Sequence, residues 1–344
     1  MKAKQKILVA MSGGVDSSVA AGLLQNEGFE VTGVTLKLWG GPSDTGCCSV
    51  SDVTDARRVA DSLGIEHHVF NFGDEFEDNV VAPYVRSHAK GLTPNPCIEC
   101  NRHLKFDKLI RRAHALGFDL IATGHHARIV EHNNGLRIAR GADFSKDQSY
   151  VLHMLSQSQL RQLKLPLGEM TKTEVRKIAA SLNLRVADKP DSQDVCFISN
   201  VKGSRKKFLE QRIELTPAKV LDKNHRTVGE VESIEMVTIG QRKGLGLSGQ
   251  GAPKYAVEID AEKATVTVGE KSDLYCSTTE IKDLSWTDAT YPTPVEVQTS
   301  AHGRTASAIV TSTVEWVKPH MKVAPGQSLV FYDGDVVVGS AIAE

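Results

Sequence analysis

The chain of 344 residues contains no apolar run approaching the roughly 20 residues of a membrane-spanning helix. It has no repeats and no low-complexity tract. With 40% hydrophobic and 24% charged residues it is neither a disordered nor a membrane chain, and it can bury a sizeable core. The start lacks the pattern of a signal peptide, because Lys2, Lys4 and Lys6 precede only a short apolar strand. The expected compartment is the cytoplasm, with no membrane partner. Net charge is also lacking: 41 Lys and Arg face 42 Asp and Glu, so no global basic signature of a nucleic-acid binder is present. Cysteine is scarce and unevenly placed, six in all, which excludes a disulfide scaffold and leaves chemistry, metal binding or packing.

Two basic clusters interrupt the charge balance. Glu99 to Arg112 holds five basic residues (Arg102, Lys105, Lys108, Arg111, Arg112) against two acidic ones, and Val201 to Thr227 holds eight against three. Such runs are commonly solvated faces, but beside cysteine motifs they also suit a polyanion surface.

Up to about residue 198 apolar strands and amphipathic helices alternate. "KILVA", "EVTGVTLKLW", "HHVFNF" and "DLIATGHH" read as strands, with "SDVTDARRVADSLG" and "FDKLIRRAHALG" as helices. In "TKTEVRKIAASLNL", Thr171 and Glu174 have capping-box spacing. This alternation predicts an α/β fold with a doubly wound parallel sheet, whose ligands gather at the strand C-termini. The Gly-rich, basic "VTIGQRKGLGLSGQGAPKYAV" predicts a small, loop-rich middle domain or lid. After about residue 270 alternating segments and the Asp333-Gly334 turn predict an antiparallel β-barrel. The expected domains are 1–198, 199–269 and 270–344.

"AMSGGVDSS", from Ala10 to Ser18, joins the first strand to a helix. First-turn N–H groups and the helix dipole make that junction an anion site; Ser12, Ser17 and Ser18 add hydroxyls, and Gly13 and Gly14 allow close backbone approach. No Gly-Lys-Ser/Thr follows, which excludes the Walker-type loop. "SGGVDSS" resembles the loop of the PP-loop ATP pyrophosphatases. The resemblance implies ATP as substrate, pyrophosphate release, and Asp16 organising the pyrophosphate through Mg²⁺.

"TPNPCIECNRHLKF" sets Cys97 and Cys100 in C-x-x-C spacing on a loop entering a helix, near Arg102, His103 and Lys105. That setting favours thiolate and suits a nucleophile. "KPDSQDVCFI" adds Cys196. Metal binding by these three cysteines is the alternative, although a second C-x-x-C or a His pair for a four-ligand zinc site is missing. Cys47, Cys48 and Cys276 read as packing residues.

The ordered set "AMSGGVDSS", "TPNPCIECN", "ATGHHAR", "KDQSYVL", "DSQDVCFI" and "TIGQRKGLG" resembles the bacterial tRNA-specific 2-thiouridylase family. The resemblance implies ATP-dependent sulfur insertion at C2 of the wobble uridine, position 34, in tRNAs for Lys, Glu and Gln. Cys196 would carry the persulfide and Cys100 would be the nucleophilic partner, with a disulfide between them as an intermediate. It further implies ATP contacts from Ala10, Met11, Ser12, Gly13, Gly14, Val15, Asp16 and Ser17, with Leu36 and Gly124 beside the adenosine. Asn95, Pro96 and Cys97 would contact the target base. His125, Lys146, Asp147, Gln148, Arg304 and Gln327 would meet the tRNA, with His125 at the tRNA surface, although a histidine there could equally pack or hydrogen-bond. A sulfur-relay protein or cysteine desulfurase is the implied donor. Many family members carry aspartate where this chain has Cys97, so that residue either joins the sulfur chemistry or completes a [4Fe-4S] cluster with Cys100 and Cys196. Two other readings compete: a PP-loop amide- or imine-forming synthetase, which would have no use for paired cysteines, and a non-catalytic metal- and RNA-binding module, which would release no pyrophosphate.

Overall fold

The computed structural model describes residues 4–38, 49–133, 135–190, 195–198, 203–247, 252–288 and 291–344. The chain divides into two compact units. The first comprises Met1–Val81, Pro96–Asn200 and Asp335–Val337; the second comprises Ala82–Asn95, Val201–Gly334 and Val338–Glu344.

In the first unit β1 (Lys6–Ala10) is the middle strand of a sheet. Its Ile7, Leu8 and Val9 are fully buried, as expected of a strand covered on both faces. On one side lie β2 (Glu30–Lys37) and β3 (Glu66–Asn71), on the other β4 (Leu120–Thr123), and all pairings are parallel. β5 (Ala127–His132) and β6 (Gly135–Arg140) form an antiparallel hairpin, and β7 (Leu163–Lys164) completes the order β3-β2-β1-β4-β7. The order reverses between β1 and β4, and the C-terminal ends of those strands form the crevice where α/β sheets take their ligands.

Helix α1 (Val15–Asn26) follows β1, and α2 (Val50–Leu63) follows β2. Gly64 ends α2 in the left-handed conformation at φ 67°. A third helix, α3 (Lys172–Ser181), begins with the expected capping box of Thr171 and Glu174. Val19, Ala20 and Leu24 of α1, Ala56 and Val59 of α2, and Val175 and Ala179 of α3 share one core with β1. The cysteine-bearing helix opens at Pro96–Glu99, widens to a π-helix over Cys100–Lys108 and returns to α over Leu109–Ala115. Pro96 fits the first helical position, where its missing N–H has no intrahelical acceptor to lose.

The second unit corrects the loop-rich reading of the middle region. β8 (Ala218–Leu221), β9 (Thr227–Val231), β10 (Tyr255–Asp260) and β11 (Thr265–Gly269) form a sheet of order β10-β11-β8-β9 over its own core of Val220, Val266 and Ala256. The strands are only four to six residues long, too short to show a clear period, and the Gly-rich stretch lies between β9 and β10. The rest of the unit is the expected barrel, built from β12 (Tyr275–Trp286), β13 (Val295–Gln298), β14 (Ala306–Val310), β15 (Thr313–Met321), β16 (Ser328–Asp333) and β17 (Val336–Ala343). Its order is β12-β15-β14-β13-β16-β17, and pairing of β12 with β17 closes it. Gly334 turns the β16–β17 hairpin at φ 56°. Among the described residues no helix is long and apolar enough to cross a membrane.

Candidate active site

The loop from Met11 to Gly14 sits where the sheet geometry puts a ligand. Gly14 caps α1 without any side-chain cap hydrogen bond, so no side chain occupies the N-terminal donors of that helix. Gly13 has φ 73°, and a Cβ there would lie 2.3 Å from the Asp52 carbonyl oxygen. Only glycine satisfies both constraints. Gly124, after β4, packs on the same helix start, since a Cβ there would lie 2.6 Å from the Ser17 nitrogen. Leu36 is buried near the end of β2.

The hydroxyls differ from expectation. Ser18 is fully buried and donates to the Gly14 carbonyl at 2.8 Å; Ser17 donates to the same oxygen at 3.3 Å and accepts from the Ser12 N–H at 3.2 Å. Both brace the turn from inside, because the first-turn carbonyl is their nearest acceptor. Ser12 alone of the three is exposed.

Asp16 lies in the first turn of α1, half-buried, with Lys172 Nζ at 2.7 Å from each carboxylate oxygen and His126 Nε2 at 3.2 Å. Burial works to raise its pKa, but the hydrogen bonds from His126 and Lys172 and the Lys172 charge outweigh it and hold the carboxyl below 3.8. Lys172 is buried at the first position of α3, and its own N–H donates to Asp143 Oδ2 at 2.9 Å. Lys189 Nζ reaches the Gly13 carbonyl at 3.0 Å and Asp52 and Asp55 at 2.8 Å each. An uncapped helix start flanked by two ammonium groups fits phosphate oxygens, and an ionised carboxylate beside it is the ligand type a hard cation such as Mg²⁺ takes.

Sequence reasoning missed Lys172, Lys189 and His126. A cation in the first turn of a helix opposes the dipole, so Lys172 directly after the cap Thr171 was a legible anomaly. His126 stood in a visible His-His pair of which only the first was selected. Nothing local marks Lys189.

That first histidine is not on an exposed face. His125 is buried, its Nδ1 lies 2.7 Å from Thr123 Oγ1 and its ring 5.8 Å from that of Phe106. Burial, then Lys105 and His126, push its pKa well below 6.5 and keep the ring neutral. Asp147 is likewise buried instead of presented: its oxygens accept from Arg140 at 2.9 Å, the Gly141 N–H at 3.0 Å, and the Ser149 N–H and hydroxyl at 3.0 and 2.8 Å. Lys146 is half-buried, and Gln148 Oε1 accepts from the His126 N–H at 2.9 Å, which ties that loop to the residue bonded to Asp16.

Cys97 is exposed, Cys100 is buried at the start of the π-helix, and Cys196 is half-buried beside Phe197, whose ring packs 5.6 Å from Phe76. π-helical turns are uncommon and concentrate at functional sites. Among the described residues no three His, Cys, Asp or Glu side chains are grouped to hold a metal. Cys47 and Cys48 lie outside the described residues, and Cys276 is half-buried on β12. The basic helix is partly paired: Glu99 takes His103 at 3.1 Å and Arg102 at 3.5 Å, and Asp107 takes Arg111 at 2.7 Å. In the second unit Arg304 is exposed, while half-buried Gln327 donates to the Thr93 carbonyl. Asn95 is half-buried and Pro96 is buried.

Comparison with known proteins decides the lineage. A family model described as the tRNA methyl transferase HUP domain matches residues 5–200, one described as the tRNA methyl transferase PRC-barrel domain matches 206–270, and an aminomethyltransferase beta-barrel domain matches 277–343. The tRNA-specific 2-thiouridylase MnmA of Carboxydothermus hydrogenoformans is 43% identical over 361 residues, covering 99% of this chain and 98% of the relative. Those of Mycolicibacterium paratuberculosis and Mycolicibacterium gilvum are 44% and 45% identical over 356 residues, with 98% of each chain covered. The chain belongs to the tRNA-specific 2-thiouridylase family. Membership in the 2-thiouridylases bears out the resemblance carried by the six ordered motifs.

Proposed function

We propose that this chain catalyses ATP-dependent 2-thiolation of the wobble uridine of tRNA. The observation that carries the reading is the uncapped start of α1 beside Asp16, Lys172 and Lys189 at the sheet's switch point, in a chain related over its whole length to 2-thiouridylases. The backbone N–H groups of Gly13 to Ser17 hold the phosphates of ATP, and Leu36 and Gly124 border the adenosine. Mg²⁺, when bound through Asp16, balances the phosphate charge.

The uracil O2 attacks the α-phosphate and releases pyrophosphate, which turns a poor leaving group into AMP. The terminal sulfur of a Cys196 persulfide then adds at C2 and AMP departs. Cys100 thiolate attacks Cys196 Sγ, breaks the S–S bond, and leaves 2-thiouridine and a Cys100–Cys196 disulfide. In a second order of events Cys100 attacks first and liberates hydrosulfide, which displaces AMP; the same disulfide results. An external thiol resets the pair.

The target base must leave the anticodon stack to reach this crevice. Asn95, Pro96 and Cys97 contact the target base, and His125, Lys146, Asp147, Gln148, the exposed Arg304, the basic helix and Gln327 serve the tRNA. A sulfur-relay protein or desulfurase supplies the persulfide in the cytoplasm, and the chain works as parts 1–198, 199–269 and 270–344.

The test is thiolation of anticodon-loop uridine with ATP and a persulfide donor. Cys100→Ser and Cys196→Ser are expected to abolish product while tRNA binding persists. Normal thiolation by either variant would remove the two-thiol mechanism.

A further inference from the structure

Lys189 flanks the nucleotide site described above, and it touches the phosphate loop directly. Its ammonium donates to the Gly13 carbonyl at 3.0 Å, Asp52 Oδ1 at 2.8 Å and Asp55 Oδ2 at 2.8 Å. Three donors meet three acceptors, which fixes the group in rotation as well as in place. Burial works to lower its pKa, but the hydrogen bonds and charges of Asp52 and Asp55 raise it above 10.5. The geometry is thus that of a permanent cation.

The Gly13–Gly14 peptide is planar and trans, so its N–H points opposite to its C=O. With the Gly13 oxygen drawn to Lys189, the Gly14 N–H is turned away from it, as a donor at the uncapped start of α1. Asp52 contributes twice. Its carbonyl is the atom a Cβ on Gly13 would strike, and its side chain holds Lys189 while completing the capping box of α2. One side chain therefore fixes a peptide of the nucleotide loop and joins it to the start of α2.

We propose that Lys189 is a positioning residue that locks the Gly13–Gly14 peptide in its anion-binding orientation. The inference rests on the function proposed above. An ion pair that served stability alone would lower Tm on removal but would leave nucleotide affinity unchanged.

Two readouts on the full chain separate these cases: KM for ATP in pyrophosphate release, and Kd for α,β-methylene ATP. Lys189→Met is expected to raise both by about tenfold, the scale of losing a hydrogen bond from a charged group. Lys189→Arg, which keeps charge and donors, should restore both in part. Asp55→Asn removes the charge of one of the three acceptors and should move both readouts in the same direction by a smaller factor; it carries the test if Lys189→Met does not fold. Wild-type KM and Kd in Lys189→Met, or in Asp55→Asn where it stands in, would overturn the proposal. A wild-type chain that releases no pyrophosphate with ATP and tRNA would instead overturn the function on which it rests.

Discussion

At Asp16 one carboxylate must remain ionised beside a polyphosphate, and the groups around it secure that. Lys172 and His126 outweigh the cost of burial, so the Asp16 pKa lies below 3.8. Its contribution to stability is complete above the ordinary carboxylate range and is lost only as pH falls through the lowered value. Asp16→Asn leaves the Lys172 ammonium, 9% exposed, without its counter-ion. We expect pyrophosphate release to fall by at least about tenfold and Tm to drop, by about 1–3 kcal/mol in unfolding free energy for a partly buried pair. Lys172→Met should lower release comparably, because the phosphate site loses a cation. Unchanged release in both variants would remove Asp16 and Lys172 from the reaction. Asp16 was legible because its loop is contiguous in sequence. Its pairing with Lys172 was not, since 156 positions separate the two and only the fold brings them together.

At the scale of elements, the site depends on how closely two strand ends approach one helix start. Gly124→Ala would place a methyl group 2.6 Å from the Ser17 nitrogen, which belongs to backbone and cannot swing aside. A destabilisation of about 1–3 kcal/mol is expected for such overpacking, together with a raised KM for ATP; a variant with wild-type KM would show that this approach is irrelevant to the nucleotide. Thr171→Ala removes the capping box of α3 and should cost about 1 kcal/mol, read by chemical denaturation. These helices were readable because caps, apolar spacing and terminal glycines are local signals. The β8–β11 sheet was not, because its strands are only four to six residues long and a Gly-rich stretch separates β9 from β10. The burial of His125 and Asp147 was not legible for a related reason: nothing local to either residue announces the Phe106 ring beside the one or the Arg140 guanidinium paired with the other.

Across the whole molecule, each compact unit carries a neutral buried histidine that ties stability to pH. In the second unit burial, then Arg205, lowers the His88 pKa to about 4; in the first, burial and then Arg102 lower that of His153 to about 3. The unfolded chain takes up a proton at these residues near pH 6.5, well before the folded chain does. Their contribution is therefore complete above pH 6.5 and is lost as pH falls toward the folded values. For His88 the loss is on the order of 3 kcal/mol. A plot of Tm against pH should fall below pH 6.5, with a shallower slope in His88→Gln; parallel curves would contradict this origin. The broad architecture, a parallel sheet followed by a barrel, was readable from alternation and turn pairs, and the family from six motifs in order. The choice between persulfide and cluster was not, because C-x-x-C spacing serves either chemistry. The most direct measurement is single-turnover modification of a tRNA anticodon stem-loop by metal-free, persulfide-loaded protein with ATP under anaerobic conditions, read by nucleoside mass spectrometry. Exchange of sulfur for oxygen at the wobble uridine, with one AMP and one pyrophosphate per sulfur transferred, is the predicted result. Pyrophosphate release without sulfur transfer, or sulfur transfer only after iron-sulfur reconstitution, would contradict it.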